Sequence, residues 1–291
     1  MANSVRLLYR GGLSHYYSAM SGAPGDLATL RRLLRTFPSA LLGYSGGVDS
    51  ACLAVLLRQE LGRDRMLAVI GRSASYPEAQ WHAARDIAAR FDIPLLEIET
   101  HELSDPDYVA NPTNRCFFCK RELWTRLVAE ADTRGLAVVC DGTIADDLRE
   151  HRPGRAAGVE RGIRSPLAES GMTKADVRAA ARALGIPVWD APAAPCLSSR
   201  IAYGISVTPS RLRQVERAEA YLRELGVTGD LRVRHHDRHA RIEAEGDWVP
   251  WLAERLGPIC ERLAALGFAS VEVDPRGYRR GSLLLEPAGE R

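Results

Sequence analysis

The chain has 291 residues, with 39 lysines and arginines against 37 aspartates and glutamates, a net charge of +2, and 46% apolar residues. These are globular proportions; they argue against a nucleic-acid clamp, which needs a basic surplus, and 25 glycines and 16 prolines are too few for a collagen-like or low-complexity polymer. No apolar run approaches the ~20 residues needed to span a bilayer, and the first residues lack an apolar stretch with a cleavage site, so the expected location is cytoplasmic.

Residues 1–25 read as a loose arm rich in Gly, Ser and Tyr. A helix is predicted from about Asp26 to Phe37, with Leu27, Leu30, Leu33 and Leu34 at helical spacing. The apolar run Ala40–Tyr44 predicts a buried strand, which turns through Ser45-Gly46-Gly47 into a helix over Ser50–Leu61 closed by Gly62. Strand Met66–Ile70, helix Pro77–Phe91, strand Leu95–Ile98, helix Lys120–Arg134 and strand Ala137–Cys140 continue the alternation. Helix Thr173–Leu184 leads to a strand-like Ile186–Trp189. The expectation is an α/β fold with a doubly wound parallel sheet. Beyond residue 205 the pattern changes to a long helix Pro209–Leu225, short strands Leu231–His235 and Ala240–Glu243, a helix Trp248–Leu266 and strand-like Val271–Val273 and Leu283–Leu285. That predicts three parts: the arm 1–25, the α/β domain 26–204, and a smaller α+β domain 205–291.

The sharpest motif is Ser45-Gly46-Gly47-Val48-Asp49-Ser50, between a buried strand and a helix. Paired glycines let the backbone turn tightly and approach an anion, and the helix amino terminus that follows favours phosphate. Ser45 and Ser50 add hydroxyl donors. Asp49 repels phosphate, so its role is to hold Mg²⁺ that bridges phosphate oxygens. The loop lacks Walker spacing; it resembles the SGGxDS loop of the PP-loop ATP pyrophosphatases, which implies cleavage of ATP between the α and β phosphates.

Of six cysteines, Cys116 and Cys119 sit three apart at the start of a helix, where both thiols reach one face. Arg115, Lys120 and the helix terminus are expected to lower their pKa; a metal site, a redox pair and chance spacing all remain open. Cys196 lies beside Arg200 in a Pro-rich loop suited to a reactive thiol or a metal ligand. Cys52, Cys140 and Cys260 read as packing. Arg232 and Arg234 alternate on one strand face, where paired guanidinium forks suit a phosphate. His235, His236 and His239 straddle a predicted hairpin turn and read as exposed, structural or minor substrate residues, and Trp248 and Trp251 as helix packing. Asp141, Asp146 and Asp147 follow a strand end and read equally as Mg²⁺ or ATP acids or as caps.

The chain resembles the LarE family of ATP-dependent sulfur transferases. The matching pieces are Ser45–Ser50, Ser73–Pro77, Arg115-Cys116-x-x-Cys119-Lys120, 141–147, Arg164–Leu167, Cys196–Arg200, Arg232–His236 and Gly277–Ser282. The resemblance implies adenylation of a carboxylate of pyridinium-3,5-biscarboxylic acid mononucleotide and its conversion to a thiocarboxylate, for the nickel-pincer nucleotide cofactor. It implies ATP contacts at Ser73 and Gly142, substrate contacts at Arg200, Arg232 and Arg234, a sulfide or other sulfur donor, and a homo-oligomer. Two sulfur sources occur in the family: a sacrificial cysteine at the position of Cys196, and a [4Fe-4S] cluster on three cysteines, whose unligated iron holds an extra sulfide. Cys116, Cys119 and Cys196 match the cluster type. A PP-loop tRNA thiolase is the alternative within the superfamily.

Overall fold

A computed structural model describes residues 26–148 and 153–284; the predicted arm 1–25 lies outside the described residues. Asp26 opens α1 (Leu27–Arg35) by accepting from the N–H groups of Ala28 and Thr29. β1 (Ala40–Gly43) enters α2 (Val48–Leu61), which is buried on nearly every side. Then come β2 (Met66–Arg72), α3 (Glu78–Arg90), β3 (Leu95–Glu99), the single turn α4 (Pro106–Val109), α5 (Arg115–Arg134), β4 (Val138–Cys140), α6 (Pro153–Glu160), α7 (Pro166–Glu169) and α8 (Lys174–Ala183).

The first sheet is parallel throughout, in the order β3-β2-β1-β4. Alternation along the strands feeds two cores. Ala40, Leu42, Met66, Ala68 and Ile70 pack with α1, α2, α3 and α8. Leu41 and Val69 point the other way, against Trp124, Leu127 and Ala131 of α5 and Ala157 of α6. The sheet is therefore doubly wound, as the alternation of elements predicts. Chain order reverses at β1, whose neighbours are β2 and β4, and the crevice at the carboxyl ends of β1 and β4 is where such sheets bind ligands.

A second, mixed sheet of order β5-β6-β7 follows α9 (Pro209–Glu224). β5 (Leu231–His236) and β6 (His239–Ala244) are antiparallel, and β6 runs parallel to β7 (Ser270–Val273). The predicted helix Trp248–Leu266 is two helices, α10 (Trp248–Glu254) and α11 (Leu256–Ala265). Pro258 explains the break: it has no N–H to offer Glu254, and its ring opposes that carbonyl. Two predicted strands are absent: 186–189 forms turns, and 282–284 forms a short 3₁₀ turn, with Leu285 outside the described residues.

Candidate active site

The phosphate loop follows β1 as predicted, with Gly47 as N-cap of α2. Gly46 has φ +72°, and a Cβ there would stand 2.5 Å from the Ala84 Cβ, so both its handedness and the space demand glycine. The Ser50 hydroxyl accepts from the Ser45 N–H (3.2 Å) and donates to the Gly47 carbonyl (3.1 Å), holding the loop closed on itself. Tyr76 Oη (2.8 Å) and Gln80 Nε2 (2.7 Å) donate to the Ser45 carbonyl from outside. Gly142, after β4, backs against the start of α2: a Cβ there would meet the Ser50 nitrogen at 2.9 Å.

Asp49, in the first turn of α2, is met by Lys174 Nζ at 2.7 and 2.6 Å to its two carboxylate oxygens. Lys174 is set by a capping box, in which Thr173 and Asp176 bond reciprocally. Asp146 accepts from the Lys174 N–H at 2.7 Å. The other acids after β4 serve their own loop: Asp141 accepts from Thr143 and from the Ser165 hydroxyl, and Asp147 from the Ile144 N–H. Of the two roles open to these three in the sequence, capping is what the contacts display.

After β2, the Ser73 and Ser75 hydroxyls lie 2.8 Å apart and both donate to Glu102, a carboxylate only 2% exposed. The Ser75 carbonyl accepts the Leu197 N–H at 2.8 Å. The loop carrying Ser73 is thus hydrogen-bonded directly to the residue after Cys196.

Cys116 and Cys119 lie in the first turns of α5, and Cys119 packs on the apolar cluster that holds Leu197, the residue after Cys196. Burial raises the Cys119 thiol above its ordinary pKa, with the Glu102, Cys196 and Cys116 charges adding to it. Cys116 is the exposed member, yet desolvation and then the Cys196 charge raise it too. The expected lowering by Arg115 and Lys120 is present but outweighed, because desolvation penalises a thiolate more than those cations favour it. Arg115 is 3% exposed; burial pulls its guanidinium down, but the Cys196 and then the Cys116 charges hold it above its ordinary value. Among the described residues, no group of three or more His, Cys, Asp and Glu side chains is arranged to hold a metal ion.

Three arginines embrace the Cys196 loop. Arg200 forks onto Glu219 (2.9 and 3.0 Å) and donates to the Pro195 carbonyl (2.6 Å). Arg232 donates to the Ala193 carbonyl (2.7 Å), and Arg234 to the Ser199 carbonyl (3.1 Å) while paired with the fully buried Glu243. Burial, and then the charge of Arg200, push Arg232 below its ordinary value. His235, expected to be exposed, structural or a minor substrate residue, is 1% exposed and bonds Gln214 at 3.0 Å. Lys174, Glu102, Glu219 and Asn111 escaped the sequence reading of the site; the one signal available was the rarity of lysine, with Lys174 one of two in the chain.

Residues 30–110 match the family model described as NAD synthase. An uncharacterized protein of Synechocystis sp. is 40% identical over 88% of this chain and 96% of its own length. The pyridinium-3,5-bisthiocarboxylic acid mononucleotide synthase of Lactiplantibacillus plantarum is 34% identical over 88% of this chain and 92% of its own length. An uncharacterized protein of Methanocaldococcus jannaschii is 30% identical over 82% of this chain and 90% of its own length.

Proposed function

This chain belongs to the LarE family of ATP-dependent sulfur-transferring enzymes, and we propose that it converts a carboxylate of pyridinium-3,5-biscarboxylic acid mononucleotide into a thiocarboxylate. A carboxylate is a poor acyl donor, because its leaving group would be oxide. Its oxygen attacks the α-phosphorus of ATP, the bond to pyrophosphate breaks, and the acyl adenylate then carries AMP as leaving group. A soft sulfur nucleophile adds to the acyl carbon and AMP departs.

In this reading, Ser45–Ser50, Ser73 and Gly142 form the nucleotide pocket. Asp49 holds Mg²⁺; that both its oxygens already serve one ammonium supports a carboxylate presented to a single cation. The residues 26–204 supply this pocket, and 205–291 supply substrate contacts and subunit assembly. Arg200, Arg232 and Arg234 draw the phosphate of the mononucleotide. The depression of Arg232 by its cationic neighbour supports this, because an arriving anion would relieve it.

Cys116, Cys119 and Cys196 are read as the ligands of a [4Fe-4S] cluster. The packing of Cys119 against the cluster that holds Leu197, with Arg115 as buried counter-charge, supports that group. The three residues would supply thiolates, the ligand type that iron–sulfur clusters take. When bound, such a cluster supplies an open iron position at which sulfide is held for transfer. The observation that carries the whole reading is the bond from Leu197 to Ser75, which joins the sulfur loop to the nucleotide loop.

The test is isolation without oxygen, followed by iron and acid-labile sulfide analysis and by pyrophosphate release with the mononucleotide. Iron lost in Cys116→Ala, Cys119→Ala and Cys196→Ala, with pyrophosphate release retained, is the expected result. Iron-free protein whose Cys196 loses one sulfur in a single turnover would replace the cluster with a sacrificial cysteine. Tight, salt-sensitive tRNA binding with no turnover of the mononucleotide would overturn the substrate assignment.

A further inference from the structure

The two segments that carry the thiols are 77 residues apart between Cys119 and Cys196, and most of the bonds that hold them together meet at one residue. Asn111 is fully buried, at 0% exposure, with a left-handed φ of +56°. Its Nδ2 donates to the carbonyls of Ala202 (2.8 Å), Ile205 (2.9 Å) and Ile201 (3.3 Å), all just after the Cys196 loop. Its Oδ1 accepts from Arg115, the residue before Cys116. Its own carbonyl accepts the Gly204 N–H at 3.0 Å. Nearby, the Tyr108 hydroxyl bonds the Ser198 hydroxyl (2.5 Å) and the Val207 N–H donates to the Val109 carbonyl (2.9 Å).

We infer that Asn111 is the positioning residue that fixes Cys196 relative to Cys116 and Cys119. This rests on the reading of the three thiols as one site. The chemistry of the amide is specific to the task. One end must donate to a cluster of carbonyls, the other must accept from a guanidinium, and only a primary amide does both in so short a side chain. A carboxylate would face the carbonyls without a proton to give, and an aliphatic residue would leave them and Arg115 short of partners in a buried place. The left-handed backbone, which Asn tolerates, turns the chain from α4 toward α5 so that the side chain lies between the two segments.

The test uses the full-length protein free of iron and a short bis-electrophile, dibromobimane, with peptide mapping by mass spectrometry for a bridge between Cys196 and Cys116 or Cys119. Wild type bridges. Asn111→Gly keeps the backbone handedness and loses the clamp; its bridge yield drops about tenfold, in the range expected when reacting groups lose alignment, while Mg-ATP affinity is unchanged. A purely packing role would not separate these two readouts. Asn111→Asp, which still accepts from Arg115, falls with Asn111→Gly. Unchanged bridging in these variants overturns the inference and leaves the three-thiol site standing. If Asn111→Gly does not fold, Asn111→Asp alone decides, because it keeps the bond from Arg115 and loses those to the carbonyls. Absence of any bridge in wild type overturns the three-thiol reading together with the inference.

Discussion

Lys174 and Asp49 form a two-point ion pair across 125 residues of sequence, with the ammonium on both carboxylate oxygens at the mouth of the phosphate loop. The ammonium sits where the proposed Mg²⁺ would, so metal-nucleotide binding must displace it, and a displaced ammonium is free to meet the phosphates. Lys174→Met is expected to strengthen Mg²⁺ binding in the absence of nucleotide and to slow pyrophosphate release by about 10²-fold, the scale of losing one donor to a developing charge. Titration calorimetry and a pyrophosphate assay check both arms. Unaltered pyrophosphate release would remove Lys174 from the reaction. Lys174→Arg recovers only part, since a planar fork replaces a compact point charge.

Gly142→Ala is a probe of how closely β4 backs the phosphate loop. The added methyl would press on the backbone of Ser50, at 2.9 Å from its nitrogen and 3.1 Å from its Cα, and backbone cannot swing aside. The expected cost is about 1–3 kcal/mol of stability, together with weaker ATP binding as the start of α2 shifts. Thermal melts with and without ATP measure the two effects. An ATP-induced shift equal to that of wild type would show that the pocket does not depend on this contact.

Much of the sheet was legible in sequence, for a reason particular to parallel sheets: the central strands are covered on both faces, so Ala40–Gly43 and Met66–Arg72 stand out as apolar runs. The phosphate loop was legible because its function depends on local backbone shape. The thiol environment was not. Arg115 and Lys120 are visible beside Cys116 and Cys119, but the burial that outweighs them comes from segments far along the chain. Asn111 was equally hidden, since its three carbonyl partners lie about ninety residues away. The start of α5 moved from Lys120 back to Arg115 because bonds from the Arg115 and Phe117 N–H groups to Pro112 and Asn114 wind the chain early.

Acid should weaken the second sheet through His235. Burial, and then the Arg211 charge, depress its pKa from 6.5 to about 4. The neutral ring is kept in the fold while the unfolded chain takes up a proton below 6.5, so stability is lost as pH falls from about 6.5 toward 4. The loss is on the order of 1–2 kcal/mol after allowance for screening by solvent. Urea melts at pH 7 and pH 4.5 measure it, and His235→Gln is expected to flatten the difference. An equal pH slope in that variant would assign the effect to other groups.

Arg234→Gln tests the buried charge beneath the sulfur loop. Glu243 is fully buried between Arg234 and Arg241. Removing Arg234 takes from Glu243 its shorter ion pair and leaves it Arg241 alone, at a cost of about 3 kcal/mol. Chemical denaturation reads that loss. Arg234→Gln combined with Glu243→Gln should be more stable than the single variant; if it is not, the pair is not the source of the cost.

The scarcity of lysine has a practical corollary. The sequence holds two, Lys120 and Lys174: one follows Cys119 directly and the other grips Asp49. An acylating reagent that seeks primary amines therefore has, apart from the chain's first residue, two targets, one at each end of the proposed chemistry. Their separate labelling rates would report occupancy of the thiol end and of the nucleotide end in one native, unmutated sample.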